Sequence, residues 1–163
     1  MSEISRRSFV VAAGAAALFC GAAAAQNTSP ASAGPRVALK GYDPVSYFTD
    51  GKPEKGSAEF SFAFDDTTYW FKSAEHKAKF AADPERYAPQ FDGYCAVMLS
   101  RGHKVEADPE AWTITNGKLY VFAGKPGAEK FTKASVAVAE KAKENWPQVS
   151  KQPAISLSEA MRP

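Results

Sequence analysis

Apolar and polar positions alternate most strongly from Phe60 to Lys72, which predicts a pair of strands. With Asp66-Thr67 at the tip, Phe64 stands opposite Tyr69 and Phe62 opposite Phe71, so Phe60, Phe62, Phe64, Tyr69 and Phe71 share one face. A face so rich in aromatics is a core face, and Trp70 points the other way. Ser73 then suits the N-cap of a helix running to about Ala82, with Glu75 in its first turn. Ala74, Ala78 and Ala81 form a small-residue stripe on that helix, while His76 and Phe80 share a neighbouring face. Asp83-Pro84 stops it, and Tyr87 anchors the chain beyond.

The rest of the pattern is sparser. Val37, Leu39 and the Gly41-Tyr42-Asp43-Pro44 turn begin the fold, and Val45, Tyr47 and Phe48 pack in a short helical turn. Tyr94 to Arg101 reads as a short helix capped by Asp92 or Gly93 and stopped by Gly102. Trp112-Thr113-Ile114-Thr115 and Lys118-Leu119-Tyr120-Val121 flank Asn116-Gly117, a hairpin that pairs Ile114 with Leu119 and Trp112 with Val121. Beyond Lys125-Pro126-Gly127 a helix runs to Asn145 with Phe131, Val138, Ala142 and Trp146 inward, and Pro147 ends it. No internal repeat stands out. Together these elements predict a small single α+β domain in which two antiparallel hairpins form a sheet with about three to four helices packed on it.

The ends of the chain carry different information. Ser5-Arg6-Arg7-Ser8-Phe9-Val10, an Ala-rich run, and small residues at Ala23 and Ala25 predict a twin-arginine signal peptide over residues 1–25, cleaved before Gln26. The expected product is exported by the twin-arginine machinery, periplasmic, and not embedded in the membrane after cleavage. Residues 26–36 form a linker rich in Ser, Ala, Pro and Gly; the domain spans 37–147; residues 148–163 have little to bury and are expected to form a flexible tail. The 20 Lys and Arg against 18 Asp and Glu are close to balance, which gives no reason to expect nucleic acid as a partner.

Candidate chemistry is confined to a few side chains. Cys20 lies in the leader, so the mature chain has the single thiol Cys95 and closes no internal disulfide. In the first turn of a helix Cys95 would be favoured as thiolate, the form that attacks electrophiles and binds metals, although Tyr94, Ala96 and Val97 around it also fit a buried packing role. Met98 follows on the same face, and a thiol with a thioether suits Cu(I). His76 is the second candidate ligand, and His103 lies in a polar loop. Close Cys-x-x-Cys or His-x-x-x-His spacings are absent, so a metal site must be assembled from separate elements. There is no Gly-rich phosphate loop and no His-Glu-x-x-His, hence no positive sign of an enzyme.

Asp43-Pro44-Val45, Tyr69-Trp70-Phe71-x-Ser73-x-x-His76-x-x-x-Phe80 and Asp83-Pro84-Glu85-Arg86-Tyr87 together resemble the YHS domain. That family's metal-binding form has cysteines where this chain has Ser46, Lys72 and His76, of which His76 keeps ligand capacity. Gly93-Tyr94-Cys95-Ala96 and Asp108-Pro109-x-Ala111-Trp112 resemble its exported single-domain subgroup, some members of which carry selenocysteine at the place of Cys95. Together with the leader and the lone mature thiol, the resemblance leads to the expectation of a soft-metal site, copper first, with Cys95 as principal ligand and His76 as the candidate partner. The alternatives are a thiol-redox protein using Cys95, or a non-catalytic module that serves a periplasmic partner.

Overall fold

The computed structural model describes residues 36–163. The leader with Arg6, Arg7, Cys20 and the cleavage site at Ala25, and nearly all of the linker, lie outside the described residues. The fold is α+β. Strand β1 (Arg36–Val37) is followed by a 3-10 turn (Ala38–Gly41), helix α1 (Ser46–Thr49), strands β2 (Ser57–Phe64) and β3 (Thr67–Phe71), and helices α2 (Ala74–Ala82) and α3 (Pro84–Tyr87). A second 3-10 turn (Gln90–Gly93) leads into α4 (Ala96–Leu99), β4 (Asp108–Thr115), β5 (Lys118–Phe122), α5 (Lys125–Lys133), α6 (Ser135–Val149) and α7 (Leu157–Ala160). Among the described residues there are thus seven α-helices rather than three to four; α1, α3, α4 and α7 are single turns too short to leave a periodic signal. Among those residues no helix is long and apolar enough to cross a membrane.

The two hairpins do not merge into one sheet. β1 pairs with β3 in parallel, giving the order β1-β3-β2, while β4 and β5 form a separate ribbon. Each hairpin's inner edge is closed by the chain just before it: β1 covers β3, and Cys95 bridges Val121 of β5 in parallel. The β4–β5 register is as expected, with Ile114 opposite Leu119 and Trp112 opposite Val121. The β2–β3 register is slipped by two, because Asp65 and Asp66, both with positive φ, take the turn and set Phe64 opposite Thr67 and Phe62 opposite Tyr69. An even slip leaves the inward face unchanged. Phe62, Phe64, Tyr69 and Phe71 therefore still surround Phe80 of α2, with ring centroids 4.8–6.1 Å from its own.

The hairpin β4–β5 lies between two cores. Leu119 and Val121 face the first, built on Tyr47, Tyr69, Phe71 and Phe80; Phe122 and Tyr120 face the second, built on Cys95, Val97, Met98 and Phe131. The long C-terminal helix is broken at Ala134, which redirects α6 so that Ala142 and Val149 pack on Leu99. Pro147 does not stop α6; burial of Val149 offsets the hydrogen bond that the proline removes. Residues beyond Val149, read as a tail, make specific contacts: Ile155 pairs with Val105, its N–H donating to Lys104 O, and Ala160 is buried in the second core.

A structural duplication escaped the sequence reading. Leu39, Lys40 and Gly41 have positive φ, and so do Phe91, Asp92 and Gly93, each trio leading to an extended Tyr and a one-turn helix. The hairpin and helix after each follow the same plan, α5 starting 51 positions after α2. Asp43 N–H donates to Glu54 O as Cys95 N–H donates to Val105 O. Tyr69 and Phe71 lie 4.8 and 5.1 Å from Phe80, while Tyr120 and Phe122 lie 4.6 and 5.2 Å from Phe131. In this correspondence Cys95 is the counterpart of Asp43, Met98 of Ser46, Ala123 of Lys72 and Gly127 of His76.

Candidate functional site

The first half shows what the shared niche holds when it is filled. Asp43 is fully buried, accepting the Val45 N–H on Oδ1 (2.8 Å) and the Lys72 N–H on Oδ2 (3.0 Å). Ser73 caps α2 through the His76 amide, as its sequence predicts, and this sets His76 over the carboxylate so that Nδ1–H donates to Oδ2 at 2.7 Å. The opposite ring nitrogen, Nε2, lies 3.5 Å from Thr49 Oγ1. Ser46 Oγ donates to Asp43 O, and the Lys72 ammonium pairs with Asp50 (2.5 Å) and Glu54 (3.1 Å). These contacts hold the Asp50 carboxyl below its usual range, Lys72 acting first, and the Glu54 carboxyl likewise, through Lys52 and then Lys72. Ser46, Lys72 and His76 thus do gather around Asp43, Lys72 through its backbone amide, while its ammonium pairs with Asp50 and Glu54.

The second half holds Cys95. It occupies the N-cap of α4 rather than its first turn, kept extended by its bond to Val105 and its bridge to Val121. Asp92 does not cap this helix; it sits in the left-handed turn before it, where its carbonyl accepts Arg36 Nη1. The sulfur is almost wholly covered, 1% of the residue being exposed. Burial pushes the thiol up; the amides of Met98, Ala123 and Val97 and the charge of Arg101 oppose that rise without reversing it. None of these amides makes a formed cap bond to the side chain. The Val97 and Ala123 amides correspond to those of Val45 and Lys72 that hold the Asp43 carboxylate.

Above the sulfur is an open pocket of about 310 Å³, lined by Cys95, Met98, Ala123, Gly127, Leu157 and Met161, with Arg101 and Lys130 at its edge. Gly127 stands where the first half has His76, so no side chain from this position enters the pocket, and a Cβ here would meet Phe122 Cβ at 3.0 Å. α7 brings Leu157 and Met161 across the opening, and Arg101 Nη1 approaches Met161 Sδ at 3.6 Å. All three sulfur-bearing side chains of the described residues, Cys95, Met98 and Met161, therefore line one pocket.

The structure does not bring His76 to Cys95. His76 is engaged by Asp43 and Thr49 beside the first core, whereas Cys95 belongs to the second. His103 is absent from the pocket lining, and its amide donates to Met98 O. Among the described residues no group of three or more His, Cys, Asp and Glu side chains is placed to hold a metal ion, so any soft-metal site must draw on thioethers. Met161 was missed because it follows a stretch with no helical or strand period.

Because the folded thiol titrates above its unfolded counterpart, the stability it contributes is intact below about pH 8.5, the unfolded value, and is lost as pH rises through the folded value. Urea unfolding from pH 7 to 10 should show the native protein losing more stability than Cys95→Ser; parallel curves would contradict this.

Comparison of the chain with protein-family models, with curated proteins and with solved structures gave no match.

Proposed function

We propose that this chain is an exported, periplasmic domain of the YHS type that binds a soft metal ion, with copper(I) as the best fit, through Cys95. The observation that carries the reading is the convergence of Cys95, Met98 and Met161 on one pocket. Thiolate and thioether donors select copper(I) over the harder divalent ions. Met98 and Met161 take the partner role that the sequence offered to His76, whose ring is already committed to Asp43. Arg101 favours the ionised thiol that coordination requires. The half-open pocket suits an ion that is handed to and received from a periplasmic protein, and twin-arginine export suits a domain folded before it crosses the membrane.

Copper(I) titration of the mature protein against a chromogenic chelator tests this. Cys95→Ser should lose about a hundredfold or more in affinity, since even residues behind the ligands are worth up to that much, and Met161→Leu about tenfold. Equal affinity in native protein and Cys95→Ser would rule the reading out. Below the folded thiol value, affinity should rise about tenfold per pH unit, since one proton leaves on binding. A thiol-redox role gains less support, because such cysteines have lowered rather than raised thiol values.

A further inference from the structure

The two halves of the fold use one niche differently, and the difference concerns charge as well as space. In the first half the counterparts of Arg101 and Lys130 are Thr49, which is uncharged, and Lys79, which pairs with Glu75 at 2.8 Å. In the second half Glu75 is replaced by Pro126, so Lys130 loses that partner, and a guanidinium stands in place of the Thr49 hydroxyl. Neither Arg101 nor Lys130 forms an ion pair with an acid among the described residues. α5 also begins at this rim from Gly124, a cap residue with no side-chain acceptor for the amides of the first turn. A niche that in one half is filled by an imidazole on a buried carboxylate, with its rim charges paired, is thus open, apolar-walled and edged in the other by two cations without an acidic partner among the described residues.

We propose that the pocket over Cys95 admits a small organic anion, a carboxylate or sulfonate on an apolar stem, whose head is held by Arg101 and Lys130 and whose stem occupies the place of the missing imidazole above the sulfur. The volume, about 310 Å³, lies at the lower end of the range for small-molecule pockets and exceeds what a lone metal ion needs. The apolar walls from Met98 and Leu157 suit the stem, while Arg101 and Lys130 are solvent-exposed, so their pull on the head is the salt-screened attraction of surface cations. The inference concerns the same pocket as the metal reading but does not require the metal.

Alkylation of Cys95 in the metal-free mature protein by two reagents that differ in charge, iodoacetate and iodoacetamide, tests it. Both consume the same thiolate, so the ratio of their rate constants cancels any change in thiol ionisation and reports attraction of the anion alone. The iodoacetate-to-iodoacetamide ratio should be about fivefold higher in the folded protein than in the same protein unfolded in urea. Arg101→Gln and Lys130→Gln should each lower it, and about 1 M salt, where the screening length is ~3 Å, should remove most of the excess. A folded ratio equal to the unfolded one, or a folded thiol that neither reagent reaches, would overturn the proposal. A raised ratio without copper binding would leave this inference standing and remove the metal reading; copper binding with an unchanged ratio would do the opposite.

Discussion

Asp43→Ala should cost about 3–5 kcal/mol of folding stability, measured as a drop in the urea midpoint at unchanged slope. The carboxylate is fully buried and serves three donors, the Val45 and Lys72 amides and His76 Nδ1, at 2.7–3.0 Å. Alanine leaves all three without their acceptor, those of Val45 and His76 in buried residues and that of Lys72 in a part-buried one, and each unsatisfied buried group costs about 1–3 kcal/mol. A double variant, Asp43→Ala with His76→Ala, should recover part of the loss, because it removes one stranded donor. A single variant within about 1 kcal/mol of the native protein would mean that the network is not the clamp described here.

Phe80→Ala should be comparably damaging, about 3–5 kcal/mol. Its ring is fully buried and meets Phe62, Phe64, Tyr69 and Phe71, so truncation opens a cavity bounded by four other rings that cannot all collapse inward. Its counterpart Phe131 meets two rings, Tyr120 and Phe122, since Thr113 and Thr115 stand where the first half has Phe62 and Phe64. Phe131→Ala should therefore cost less than Phe80→Ala. Chemical denaturation of both variants under one set of conditions decides, and the reverse order would contradict the core assignment.

What could be read from the sequence was whatever local chemistry fixes alone. Asn116-Gly117 set one hairpin's register, and Ser73 set the start of α2. Asp65-Asp66 also accepts positive φ but announces itself less clearly than Asn-Gly, so the other register was off by two, although its inward face was not. The duplication was hidden because the matching positions keep backbone geometry rather than residue type. Gly41-Tyr42 and Gly93-Tyr94 repeat, yet the buried acceptor is Asp43 in one half and Cys95 in the other. Cys95 was singled out from its chemistry, whereas the pocket above it is lined in part by Gly127, a residue conspicuous only when its counterpart is seen to be His76. His76 and Cys95 looked like partners because both have ligand chemistry, but tertiary structure assigns them to equivalent and separate niches.

The two thioethers beside Cys95 differ in shelter: Met98 is 7% exposed and Met161 58%. Oxidants that turn methionine into its sulfoxide attack exposed sulfur first and replace a soft donor by a hard, polar oxygen. Bleach or peroxide stress would thus blunt this pocket from its α7 side while the inner sulfurs stayed intact, and a sulfoxide reductase acting on that one residue would restore it.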